Sequence, residues 1–141
     1  MSRLFSKKKN LYSGMLKYSA TTHDIEVSVE SLYLEQRSSL IEQKFVFTYF
    51  ISITNDSIVP IQVLWREWMI QDHIGETKEV SGEGVVGLKP HINPGDTFRY
   101  QSFCVLKSFS GTMQGYFGIK AAGMEQKIII PRFYLKSFLL N

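Results

Sequence analysis

The segment Gly82-Glu83-Gly84-Val85-Val86-Gly87 has the spacing G-x-G-x-x-G. In a dinucleotide site that spacing ends a strand and opens a helix whose first amides meet a pyrophosphate. Here Pro90 and Pro94 follow within seven residues of Gly87. A proline inside a helix costs about 3 kcal/mol, so the helix such a site needs is excluded. What survives is a run of amides in a glycine loop, which can cup an anion without a helix. Gly82, Gly84 and Gly87 are therefore candidate positions for a phosphate- or pyrophosphate-type anion, opposed by the charge of Glu83. The competing reading is a loop whose glycines serve positive φ angles.

Three histidines, His23, His73 and His91, are the other candidate ligands. None has the spacing H-x-H, H-x₃-H or H-E-x-x-H, and there is no C-x-x-C, so a metal centre is not expected; His73 and His91 are the weak candidates for a divalent cation. The adjacent pairs His23-Asp24 and Asp72-His73 would bind only if folding brought them together. Cys104 lies in a strand-like run and reads as a small buried hydrophobe, not a nucleophile. Ser102 and Ser110 lack the G-x-S-x-G elbow of a catalytic serine. Arg66 and Trp68 sit two apart on one strand and so share a face. They are candidates for an interaction surface with cation–π character; the alternative is Trp68 in the core with Arg66 across it, paired to a carboxylate.

The elements that must position these residues are strands. Ile25, Val27 and Val29 alternate with Asp24, Glu26, Ser28 and Glu30, giving one dry face and one wet. Phe45, Phe47, Tyr49, Ile51 and Ile53 form one face of a second strand, whose other face is partly apolar, as expected of a central strand. Ile61–Ile70 carries Val63, Trp65 and Met69 on one side and Leu64, Trp68 and Ile70 on the other. Phe98 and Tyr100 mark another strand, and 112–120 and 126–135 two more. Turn residues separate them: Asn55-Asp56-Ser57, Gly75, Pro94-Gly95-Asp96 and Gly123. Short strands at such spacing predict an all-β, two-sheet sandwich over residues 22–141.

At 141 residues the chain suits one domain, and 44% hydrophobic with 21% charged residues is a globular composition. A single cysteine excludes an internal disulfide and fits a reducing, cytoplasmic setting. There is no apolar run of transmembrane length and no signal-peptide core. Charge is uneven: residues 1–21 hold Arg3, Lys7, Lys8, Lys9 and Lys17 and no acid, which leaves a net −2 on the remainder of a chain of net +3. Leu4, Phe5, Leu11, Tyr12, Met15 and Leu16 fall on one face of a helix. Residues 1–21 thus read as a basic extension, either a frayed tail or an amphipathic helix for a membrane surface, nucleic acid or a partner.

Several segments together resemble the ApaG domain family. They are Phe47-x-Tyr49-x-Ile51-x-Ile53-x-Asn55, Arg66-x-Trp68-x-Ile70, Val80-x-Gly82-x-Gly84-Val85-Val86-Gly87-x-x-Pro90-x-Ile92-x-Pro94-Gly95, Phe98-x-Tyr100-x-Ser102, Gly111-Thr112-Met113-x-Gly115-x-Phe117 and Ile130-Pro131-x-Phe133. The resemblance spans about residues 22–135 and departs slightly where Phe117 supplies the ring two after Gly115. It implies a fibronectin type III-like β-sandwich, a link to cobalt and magnesium tolerance, and a protein-interaction role. Residues and resemblance together lead to a non-catalytic interaction domain with no cofactor. Its expected partners are other proteins, a second copy in a homodimer among them; small-ligand binding at the glycine loop or the histidines is the alternative.

Overall fold

The computed structural model describes residues 16–137. Among them nine strands run in order: β1 Lys17–Thr22, β2 Ile25–Tyr33, β3 Phe45–Asn55, β4 Ile61–Asp72, β5 Thr77–Glu83, β6 His91–Ile92, β7 Thr97–Leu106, β8 Ser110–Ala121 and β9 Met124–Lys136. One sheet has the order β1-β2-β3-β7; the other is β5-β4-β8-β9, with short β6 also on β4. All pairs are antiparallel. The chain is a two-sheet β-sandwich, as its alternation predicts, and of the fibronectin type III-like kind that the family resemblance implies. Two hairpins turn on residue pairs with positive φ, His23-Asp24 and Ala122-Gly123, as a tight turn matched to strand twist requires.

Between the sheets lie the inward residues of both: Val27, Val29, Phe47, Ile51 and Ile53 from one, Val63, Phe117, Ile119, Ile128 and Phe133 from the other, all essentially inaccessible. Two bulges let long strands stay on this core. On β4 the register slips at Leu64: Val63 faces Ile119, whereas Trp65 faces Gly118. Val63 therefore points inward and Trp65 and Met69 outward, correcting the single face that unbroken alternation assigns to all three. On β9 the slip falls at Pro131, since Gly115 faces Ile130 and Met113 faces Phe133. Ile128 and Ile130 point inward before it, Phe133 and Leu135 after it. A proline, having no N–H to give the ladder, is well placed at such an irregularity.

Two elements escape simple alternation. Residues 17–21, assigned by charge to the basic extension, belong instead to β1, an edge strand paired residue by residue with β2. The helical stripe lies, apart from Leu16, outside the described residues. Strand β5 has no apolar period because both its faces are largely wet. At the β1–β9 side the two sheets are laced together: Ser31 Oγ donates to the Tyr134 carbonyl at 2.9 Å and Ile129 N to Thr22 Oγ1 at 3.1 Å. At the other side β5 and β7, both edge strands, leave the sandwich open.

Candidate functional site

That open side is a groove of about 470 Å³, with Tyr49, Arg66, Trp68, Lys78, Phe103 and Val105 among its lining residues. Trp68 forms part of its floor. Only 4% exposed, its indole meets Tyr49 edge-on at 5.6 Å and stands against Phe133 and Phe117 at 6.0 and 6.5 Å. It is a core residue that the groove reaches, not an exposed patch. Arg66, two residues away on the same face, pairs with no carboxylate among the described residues. Its Nη1 donates to the carbonyls of Glu83 and Gly84, both at 3.0 Å.

The glycine-rich segment is thus brought to Arg66. Gly82 lies directly under the guanidinium, where a Cβ would press on its nitrogens. Gly84, at φ +67°, turns the chain so that its carbonyl faces Arg66, and Gly87 has φ +80°. Two amides that an anion nest would use are already bonded inside the protein: Gly84 N to Leu64 O at 2.7 Å and Val85 N to Leu88 O at 2.8 Å. Glu83 pairs with Lys89 at 2.7 Å, and that hydrogen bond lowers its carboxyl pKa. The loop positions an arginine. Gly84→Ala is expected to cost about 2–3 kcal/mol, because it adds strain at positive φ and drives Cβ into the Leu88 carbonyl. Urea denaturation measures this, and a loss below about 0.5 kcal/mol would show that the loop is free to reshape.

The histidines do not converge. His91, on β6, pairs with Gln62 at the start of β4, whereas His73 follows Asp72 at its end. Eleven residues of strand separate the two positions, about 30 Å or more at roughly 3.3 Å per residue. His23-Asp24 lies at the β6 end, where the Asp24 carbonyl accepts from Asp56 N at 2.9 Å, so it does not meet Asp72-His73. No group of three or more His, Cys, Asp or Glu side chains suited to a metal ion occurs among the described residues.

Instead, each end is tied by a buried polar residue. Asp72 accepts from Lys107 N at 2.9 Å and from the Ser108 hydroxyl, joining the end of β4 to the β7–β8 turn. Asn55, fully buried, donates from Nδ2 to Val59 O at 2.8 Å and Ile92 O at 2.9 Å. Its Oδ1 accepts from Ser57 N at 2.9 Å and Ser57 Oγ at 2.6 Å. Sequence reading placed Asn55 in a turn; its capacity to bond four groups at once appears only in three dimensions.

Cys104 faces the core from β7, and burial pushes its thiol up to about 11. The thiolate fraction at pH 8 should then be about 100-fold below that of a cysteine at the ordinary value of 9.0. Reaction with a thiol-specific disulfide reagent should be slowed at least that much in the folded chain. A rate like that of free cysteine would contradict the assigned environment. Stability is affected on the alkaline side. Below pH 9 the thiol is protonated whether the chain is folded or not; between 9 and 11 only the unfolded chain releases the proton. Stability therefore falls as pH rises there, by up to about 1.4 kcal/mol per pH unit, and Cys104→Ala should lose that dependence between pH 9 and 10. Tyr49 and Tyr100, whose phenols burial also raises, add their own loss only above 10.

Outside the groove, the outer face of the β5-β4-β8-β9 sheet shows Met69, Tyr116 and Ile129 around a shallow cavity of about 650 Å³. Trp65 lies flat there on Gly118, a position where any Cβ would strike its ring, and Lys127 sits 4.9 Å from the Tyr116 ring centre.

The ApaG domain model matches residues 35–121. A protein ApaG of Rhizobium meliloti (strain 1021) is 44% identical over 121 residues, covering 85% of this chain and 93% of the relative. This chain belongs to the ApaG family. A protein ApaG of Brucella abortus (strain S19) is 43% identical over 119 residues, 84% of this chain and 92% of its own. Among solved structures, a crystal structure of an ApaA protein from Bordetella pertussis aligns with a TM-score of 0.79 at 37% identity, covering 84% of this chain and 98% of that one. The C-terminal domain of wzt aligns at 0.51 with 9% identity, over 88% of this chain and 78% of that one, a likeness of fold alone. In this ApaG domain the segments behind the resemblance have physical roles: Asn55 ties one end, Gly115 lets β8 lie flush on the Glu67 backbone, and Gly82–Gly87 holds Arg66. No helix among the described residues is long and apolar enough to cross a membrane.

Proposed function

We propose that this ApaG domain is a non-catalytic protein-interaction module of the cytoplasm whose binding surface is the open β5–β7 side. The observation behind this reading is the state of β7. It is ten residues long, among the described residues it pairs on one side only, with β3, and it leaves Phe103 and Val105 about half exposed beside the groove. An unpaired strand edge of that length with apolar residues is a template for a partner's backbone. The nearest reactive group, the Cys104 thiol, is buried and held protonated, which favours binding over covalent chemistry. The link to cobalt and magnesium tolerance that family membership suggests would then run through the partner.

Affinity capture from cell extract tests this with the full chain. Phe103→Glu combined with Val105→Glu puts acidic charge on the edge without touching the core, and Ile129→Glu places a like charge on the opposite outer face. A specific partner should be retained by the wild type and by Ile129→Glu and reduced at least tenfold by the double variant. Equal capture by the double variant, or recovery no different from empty resin, would count decisively against the reading.

A further inference from the structure

We propose that the β5–β7 groove receives an extended acidic segment of a partner protein, its backbone pairing with the free edge of β7 and its carboxylates reaching Arg66 and Lys78. This rests on the interaction reading above and adds the chemistry of the partner. The groove's charged lining is Arg66, Asp72, Glu76, Lys78 and Lys107. Asp72 is turned into its knot with Lys107 N and Ser108, and Glu76 lies 3.8 Å from Lys107 Nζ. Arg66 and Lys78 are left with no carboxylate at ion-pair distance among the described residues. The two carbonyls that hold Arg66 orient its guanidinium without neutralising it. Only one of its two terminal nitrogens serves them, and a planar fork so held is suited to a carboxylate.

An arriving carboxylate would meet the cation that these two carbonyls hold in place. The extended form follows from the walls. Strand β5 bears Lys78, Glu79 and Glu83, charges that discourage pairing, whereas β7 has charge only at Arg99 and, just beyond its end, Lys107. A second copy's β7 is a poor occupant, because residues 97–107 contain no acid and pairing would bring only cations to Arg66 and Lys78.

The probe is a phage-displayed library of linear twelve-residue peptides, selected on the intact chain and counter-selected on the Phe103→Glu, Val105→Glu double variant. The expected winners carry Asp or Glu within a β-prone stretch. A synthetic winner should shift the amide resonances of residues 99–106 and 77–81, weaken at least tenfold when its acid becomes the amide, and weaken at least tenfold on Lys78→Glu. Lys78 is exposed, so that variant keeps the fold, which circular dichroism verifies. Winners without acidic preference, shifts confined to the outer face of β4, β8 and β9, or a dimer formed through β7 in place of peptide binding would each overturn the inference. If partner capture still depends on Phe103 and Val105 while no acidic peptide is selected, the acidic chemistry alone is wrong. If capture does not depend on them, the interaction reading falls first.

Discussion

Asn55→Ala is expected to lower folding stability by about 4 kcal/mol, measured as a shift of the urea midpoint at unchanged slope. The carboxamide is fully buried, and both its ends are engaged by groups that alanine leaves behind. The Ile92 carbonyl loses this donor and the Ser57 amide its acceptor, whereas the Ser57 hydroxyl and the Val59 carbonyl keep the 3.1 Å bond between them. Each such group left unpaired in the interior costs about 1–3 kcal/mol, reduced where water can enter. Backbone bonds remain at this corner, from Asn55 N to Asp96 O at 3.0 Å and from Gly95 N to Asn55 O at 2.7 Å, so the loss should fall short of the full sum. A change below 1 kcal/mol would mean that solvent reaches the corner and already serves those groups. Asn55→Asp tests the same point by charge. It keeps one acceptor but turns an oxygen toward two carbonyls, and should be as damaging as alanine at neutral pH.

Trp68→Ala should cost a similar amount, about 3–5 kcal/mol, for a different reason. No buried polar group is orphaned; a large volume is emptied where Tyr49, Phe117 and Phe133 converge edge-on about the indole. Trp68→Phe refills most of that space and should cost no more than about half as much. The pair of variants separates packing from function. If the groove binds as proposed, Trp68→Phe should retain peptide affinity within a few fold, because Arg66, Lys78 and the β7 edge are untouched. Near-equal stability of the alanine and phenylalanine variants would indicate that the ring cluster relaxes around the hole.

Much of this was legible in one dimension, and the parts that were not share a cause. Strands β2 and β3 could be read from Ile25, Val27, Val29 and from Phe47, Tyr49, Ile51, because each has one face against the core. Strand β5 could not, since an edge strand wet on both faces has no period to detect. The face of Val63 was misassigned because one extra residue, Leu64, reverses every side chain beyond it, and a bulge leaves no mark in composition. Among candidate site residues, the glycines and Arg66 were each visible, but their union was not. Residues 66 and 82 meet across the β4–β5 ladder, a pairing set by the hairpin register.

The order of apolar and polar residues by itself determined that this chain forms strands, that the strands stack as two sheets, and that no helix follows the glycine-rich segment. Those are local matters: a period of two, a proline without an N–H, a glycine's freedom of φ. Tertiary structure alone decided which sheet edges stay unpaired, where Arg66 finds its carbonyls, and how far apart His73 and His91 end up. These depend on register and on crossovers between sheets, where residues distant in the chain settle each other's surroundings.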